Sequence, residues 1–158
     1  MFEKYDDERN LYTPGSMGLV SSIGLGIALN CKTRVIVIDG DSSLLMNLGT
    51  IVTIGHHCPA NLTHIVIDNG AYASCSEETS MSSTVDFVSM AKVAGYQFVT
   101  KVHDEYHLSG DLMLSKGKLG FILAKIELGG RRDFKRPLNL PNIKERIKLF
   151  IGGTEDGI

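Results

Sequence analysis

The chain has 158 residues, 43% of them hydrophobic and 22% charged, with a formal net charge of −2. That length suits one domain spanning 1–158 with a proper core, and the composition is that of an ordinary globular domain. The near-neutral balance, without a basic stripe interleaved with aromatics, excludes nucleic acid as an expected partner.

Met1–Asn10 is polar and charged, so no secretory leader is expected, and Met1–Thr13 reads as a short helix or a tail. Pro14-Gly15-Ser16 is a turn. Met17–Asn30 reads as a helix rich in small residues (Gly18, Ser21, Ser22, Gly24, Gly26, Ala28). Each glycine costs about 1 kcal/mol against alanine in a helix, so something must come close to this backbone. Either tight helix packing or a ligand lying across the helix start would explain it. The apolar stretch Leu19–Leu29 is too short and too Gly-rich to span a membrane.

Val35–Asp39 (VIVID) is a β-branched run, expected as a buried strand. Ser43–Ile54 follows as an expected helix with Ser42 or Ser43 as its N-cap and Leu44, Leu45, Leu48, Ile51 and Val52 at helical spacing. His56-His57-Cys58-Pro59 ends it and reads as a polar surface loop, since adjacent histidines cannot both face one ion from a regular element. Leu62–Ile67 is a second strand. Ala71–Thr84 is a long polar loop, a type that is often functional. Val85–Ala94 is an amphipathic helix with Phe87, Val88, Ala91 and Val93 toward its buried side, stopped by Gly95. Phe98–Val102 is a third strand, His103–Ser115 a helix and Leu119–Ile126 a fourth strand. Gly129–Pro137 is a basic loop, and Asn142–Phe150 a final helix with Pro141 at its start. Strands alternating with helices mean an α/β domain with a mainly parallel sheet and helices on both faces. Three cysteines (Cys31, Cys58, Cys75) form no C-x-x-C pair, and the odd count argues against a disulfide framework. A reducing cytoplasm is the expected compartment.

Two strands each deliver a polar cluster at their C-terminal end, where an open parallel sheet binds ligands. The first cluster is Gly40-Asp41-Ser42-Ser43, with a carboxylate and backbone N–H groups at a helix start. The second is Asp68-Asn69-Gly70-Ala71-Tyr72, with an amide oxygen and a tight turn. Asp41 alone could be an N-cap, and Asn69-Gly70 alone a turn. Together, hard oxygen donors beside a helix N-terminus suit Mg²⁺ holding a diphosphate.

Gly40-Asp41-Ser42-Ser43, with Asn69 placed 28 residues after Asp41, resembles the G-D-G…N-N motif of thiamine-diphosphate enzymes. Ser42 stands at the second Gly of that motif and Asp68 at its first Asn. The segments 15–19 (GSMGL), 21–26 (SSIGLG) and 39–49 (DGDSSLLMNLG) resemble the cofactor domain of phosphonopyruvate decarboxylases and of the sulfopyruvate decarboxylase β subunit. The likeness covers nearly the whole chain and implies the thiamin diphosphate-binding fold. It implies Mg²⁺ ligands at Asp41, Asn69 and the Ala71 carbonyl, and cofactor contacts from Gly15, Ser16, Met17, Gly40, Ser42, Ser43 and Tyr72. Met17 would be the apolar wedge that bends the cofactor, although a core methionine filling a gap is the other reading of it. The Gly15 carbonyl would accept from the cofactor's exocyclic amine.

Family members usually carry a further strand and helix before the stretch that matches residues 1–13, so the expectation is that either this chain begins late or an upstream portion is missing. They also use a glutamate against the pyrimidine ring, supplied by another domain, and nothing in this chain matches that domain. The resemblance therefore implies a partner, a pyrimidine-binding subunit carrying the activating Glu in a homo- or hetero-oligomer, or else a missing N-terminal domain that supplies it. It implies decarboxylation of a small 2-oxo acid bearing a phosphonate or sulfonate. The basic segment 131–137 with 142–144 resembles the end of the phosphonate enzymes and could attract such an anion, or be a solvated surface run. The segment 74–79 (SCSEET) departs from the Ser-Thr-Gly-Gly-Gln stretch of those enzymes, and its acidic pair disfavours a dianion. An acetolactate-synthase-like carboligase subunit and a non-catalytic assembly protein that keeps the fold are the alternatives.

Overall fold

The computed structural model describes residues 2–73, 75–129 and 135–152. Four strands, β1 (Val35–Gly40), β2 (Leu62–Asp68), β3 (Phe98–Val102) and β4 (Gly120–Lys125), make one all-parallel sheet in the order β1-β2-β4-β3. Each lies within one residue of the run that marks it in sequence. The helices are α1 (Phe2–Tyr5), α2 (Val20–Asn30), α3 (Asp41–Leu45), α4 (Gly49–His57), α5 (Phe87–Ala94), α6 (Glu105–Leu114) and α7 (Leu140–Gly152). Among the described residues no helix is long and apolar enough to cross a membrane.

The chain divides into two compact units, 18–129 and 1–17 with 130–158. In the first, side chains alternate across the sheet as the period of two requires. Val37, Leu62, Val66, Phe121 and Leu123 form one core with Leu25 and Ala28 of α2, Ile51 and Ile54 of α4, and Phe87 and Ala91 of α5. Ile65, Val102, Ile122 and Ala124 face the other way and pack with Leu108 and Leu112 of α6. Helices therefore cover both faces.

Close approach explains two of the glycines. A Cβ on Gly24 would lie 2.2 Å from Val37 Cγ2, so α2 sits directly on the sheet. A Cβ on Gly55 would lie 1.9 Å from the Ala94 carbonyl oxygen, where α4 meets α5. Gly55→Ala is accordingly expected to destabilise the fold by about 2–3 kcal/mol despite alanine's better helix propensity, because backbone cannot yield as a side chain can. A thermal melt checks this; an unchanged or raised Tm contradicts it.

Helix starts follow capping chemistry. Asp86 Oδ1 accepts from Ser89 N–H at 3.0 Å, and Asp104 Oδ1 from His107 N–H at 2.8 Å. Gly95 closes α5 at φ 102, the left-handed C-cap expected of it.

Several boundaries differ from expectation. The helix expected over Met17–Asn30 begins only at Val20, because Gly18 at φ 85 turns the chain first. The single helix expected over Ser43–Ile54 is two, α3 and α4. Its N-cap is Gly40 rather than Ser42 or Ser43. The hydroxyl of Ser43 instead accepts from Gly18 N–H at 3.0 Å, and the Asn47 amide donates to the Gly18 carbonyl at 3.1 Å. These two grips on Gly18 coincide with the break. Val52, expected on the buried face, is 62% exposed on α4, and Val93, expected on or near the buried side of α5, is 90% exposed. The loop 71–84 contains an isolated bridge, Ala71–Thr79, and one 3-10 turn, Met81–Ser83. Residues 74 and 131–134, which carry part of the acidic and basic segments singled out in sequence, lie outside the described residues.

In the second unit α1 fills the place read as a short helix or a tail. The Arg146 guanidinium of α7 donates to both Asp6 carboxylate oxygens, at 2.8 and 2.6 Å, and to the Asn10 carbonyl at 3.0 Å. The hydrogen bonds from Arg146 hold the Asp6 carboxyl below its usual range. Ile143 and Ile147 are the buried residues of α7.

Candidate functional site

β1 and β2 run parallel with Gly40 in register with Ile67. Asp41, which follows β1, therefore emerges beside Asp68, the last residue of β2, and Asn69 after it, about 5 Å being the spacing of neighbouring strands. Asp41 is the first residue of α3 and is 2% exposed. Ser42 beside it is also buried.

The first tip is fixed from beneath. Asp39 Oδ1 accepts from Gly40 N–H at 2.9 Å. Its other oxygen lies 3.4 Å from His64 Nε2, and both side chains are almost wholly buried. The His64 ring meets Phe121 edge-on at 5.5 Å, and Phe121 meets Tyr96 in the same way at 5.6 Å. Burial with no charge to relieve it pushes the Tyr96 hydroxyl well above its usual range, so it stays neutral.

The second tip is fixed by its own side chains. Asn69 Oδ1 accepts from Ala71 N–H at 3.0 Å, an Asx turn. A carbonyl oxygen has a second lone pair, which remains for another partner. Asp68 is 1% exposed and is satisfied on every side. Its Oδ1 accepts from Gly70 N–H at 3.0 Å and from the Ser82 hydroxyl at 2.9 Å. Its Oδ2 takes the Lys125 ammonium at 2.6 Å, and its carbonyl accepts from Ile126 N–H at 3.0 Å. Asp68 is thus a structural anion spent on its own loop, which explains how an acid stands where the thiamine motif has an amide.

One residue links the two tips. Ser80 donates its N–H to the Gly70 carbonyl at 2.8 Å and its hydroxyl to Asp41 Oδ2. Asp41 and the 69–71 turn are therefore brought together, as sequence anticipated. Ala71 is buried and Tyr72 half-buried; Tyr72 N–H donates to the Glu78 carbonyl at 2.8 Å. Gly15, Ser16 and Met17 belong to the other compact unit. There Gly15 takes φ 79, Ser16 N–H donates to the Thr13 carbonyl at 3.3 Å, and Met17 is half-buried. His56 and His57, exposed at the end of α4, meet edge-on at 5.4 Å.

A buried carboxylate, an amide oxygen with a lone pair to spare and a turn of backbone carbonyls form a hard, all-oxygen donor set. That chemistry fits a small divalent cation and, through it, a diphosphate. The residues that sequence missed are Ser80, Ser82, Lys125, Asp39 and His64. Only Lys125 left a signal: it is a lone cation closing the apolar strand 120–125.

Comparison with known proteins shows the family. Residues 2–118 match the family model for the thiamine pyrophosphate enzyme, C-terminal TPP binding domain. Over 122 residues the chain is 45% identical to the sulfopyruvate decarboxylase subunit beta of Methanocaldococcus jannaschii, covering 76% of this chain and 65% of that protein. Over 149 residues it is 43% identical to the phosphonopyruvate decarboxylase of Streptomyces viridochromogenes, covering 92% of this chain and 38% of that protein. The chain thus spans only part of these relatives. A solved structure from Mycobacterium smegmatis, described as a thiamin diphosphate-dependent enzyme, matches with a TM-score of 0.57 at 22% identity, over 72% of this chain and 22% of that one, a likeness of fold.

Proposed function

Because the chain belongs to the thiamine pyrophosphate enzyme family, as its C-terminal TPP-binding domain, we propose that residues 1–158 form the cofactor-binding subunit or domain of a thiamine-diphosphate-dependent decarboxylase. Its substrate class is a small 2-oxo acid bearing a sulfonate or phosphonate, the class named in the relatives at 45% and 43% identity. The observation that carries the reading is the pairing of the Asp41 and Asn69–Ala71 tips across one serine at the C-terminal ends of adjacent parallel strands.

In this reading the Asp41 carboxylate, the free lone pair of Asn69 Oδ1 and the Ala71 carbonyl hold Mg²⁺, which needs near-octahedral oxygen ligation. Backbone N–H groups of Ser42 and Ser43 would face the diphosphate, with Gly40 beside them at the helix start. By the family resemblance alone, Gly15 and Ser16 would contact the cofactor, the Gly15 carbonyl accepting from its exocyclic amine and Met17 acting as its apolar wedge. Tyr72 flanks the turn. Thiamine diphosphate, when bound, supplies the electron sink for loss of carbon dioxide from a 2-oxo acid. The protein's part is to bind, orient and exclude water. A pyrimidine-binding partner subunit supplies the activating Glu, in a cytoplasmic oligomer.

The test is release of carbon dioxide from sulfopyruvate and from phosphonopyruvate with Mg²⁺ and thiamine diphosphate, the chain being assayed alone and with a glutamate-bearing partner subunit. Turnover only with the partner is expected. Turnover by the chain alone contradicts the divided site; cofactor binding under neither condition contradicts the whole reading.

A further inference from the structure

The segment after the second tip folds back on itself. Tyr72 N–H donates to the Glu78 carbonyl at 2.8 Å, Glu77 N–H to the Tyr72 carbonyl at 3.1 Å, and Ala71 bridges Thr79. This returns the chain to the sheet edge and sets down two buried serines, Ser80 at 3% and Ser82 at 5% exposure. Each is tied to a buried carboxylate at a strand end. Ser80 donates to Asp41 Oδ2, and Ser82 to Asp68 Oδ1 at 2.9 Å.

The two straps are not equivalent. The Asp68 carboxylate has two other donors, Gly70 N–H and the Lys125 ammonium, so losing Ser82 leaves it held. Among the described residues Ser80 is the one whose hydrogen bonds span the tips: its N–H fixes the Gly70 carbonyl, between Asn69 and Ala71, while its hydroxyl fixes Asp41. One residue thus restrains the Asp41 carboxylate at Oδ2 and the backbone of the 69–71 turn at once. Ligating carboxylates are oriented by such outer partners, whose loss weakens metal binding about 10- to 100-fold.

We propose that Ser80 is a positioning residue that preorganises the divalent-cation site, holding the Asp41 carboxylate in register with the 69–71 turn. This rests on the cofactor reading above and adds a residue outside the metal's own ligands. Ser80 also caps the 3-10 turn, its hydroxyl accepting from Ser82 N–H at 3.3 Å, so its removal has a stability component as well. The Ser82 strap supplies the comparison for that component.

The experiment titrates Mn²⁺, with thiamine diphosphate present, into the full chain and reads bound metal by electron paramagnetic resonance, alongside thermal melts. Ser80→Ala is expected to weaken Mn²⁺ binding about 10- to 100-fold and to broaden the bound-metal spectrum. Ser82→Ala is expected to lower Tm yet leave Mn²⁺ affinity within about 3-fold of the unaltered chain, about 0.7 kcal/mol. Ser80→Ala binding within that same margin overturns the proposal, as does an equal loss of affinity in Ser82→Ala. If the unaltered chain binds no Mn²⁺ either alone or with the partner subunit, the cofactor reading itself falls, a result distinct from unaltered binding in Ser80→Ala.

Discussion

Asp41→Asn is expected to weaken Mg²⁺-dependent binding of thiamine diphosphate by about 100-fold or more, or upward of 2.7 kcal/mol. The amide keeps the shape of the carboxylate and still accepts from Ser80, so the buried hydrogen bond survives. What it loses is the charge, and Mg²⁺ sheds its water only for strong, hard donors. The same substitution is expected to move Tm by only a few degrees. Isothermal titration and a thermal melt on the same preparation check both halves. Retained binding would show that Asp41 is not a ligand, and a collapsed fold would show that its charge is structural. The contrast with Asp68 motivates the assignment: of these two buried aspartates at neighbouring strand ends, Asp68 has a cationic side chain on it and, among the described residues, Asp41 has none.

That second aspartate yields the other large effect. Lys125→Met strips the counter-charge from Asp68, which is 1% exposed, while Lys125 itself is 33% exposed at its side chain. Removing one partner of a buried pair leaves an uncompensated charge. Water reaches the lysine end, so a cost near 3 kcal/mol is expected rather than the upper figures for fully buried pairs. For a chain of this size that lowers Tm by about 6–12 °C. Asp68→Asn in the Lys125→Met background is expected to recover most of the loss, since the amide oxygen still accepts from Gly70 N–H and the Ser82 hydroxyl. The four melts of the double-mutant cycle give the coupling directly. Additive effects would mean that Lys125 and Asp68 are independent and that the acid in the motif has some other cause.

Much of this architecture was legible in the residues because strands announce themselves locally. The runs 35–39, 62–67, 98–102 and 119–126 are β-branched or aromatic and bounded by turns, and the structure places strands there in a parallel sheet. Asp41 and Asn69 were legible because each sits at a fixed offset after such a run. The break between α3 and α4 was not legible, because 44, 45, 48 and 51 keep helical spacing whether the helix is one or two. It is set by Ser43 and Asn47 reaching 25 and 29 residues back to Gly18, a tertiary contact with no local signature. Ser80 and Ser82 were hidden among the serines and threonines of 71–84, where composition cannot say which hydroxyls are buried. His64 and Asp39 were masked as ordinary strand positions, and their pairing depends on the register of β1 against β2.

The central claim is that two neighbouring loop tips hold one cation and, through it, a diphosphate. Crystals grown with Mn²⁺ and thiamine diphosphate test it most directly, by the anomalous signal of the metal. The account predicts a single peak within about 2.3 Å of an Asp41 carboxylate oxygen, Asn69 Oδ1 and the Ala71 carbonyl, with diphosphate oxygens completing the shell. A metal bound elsewhere, or a diphosphate seated away from residues 40–43, would contradict it.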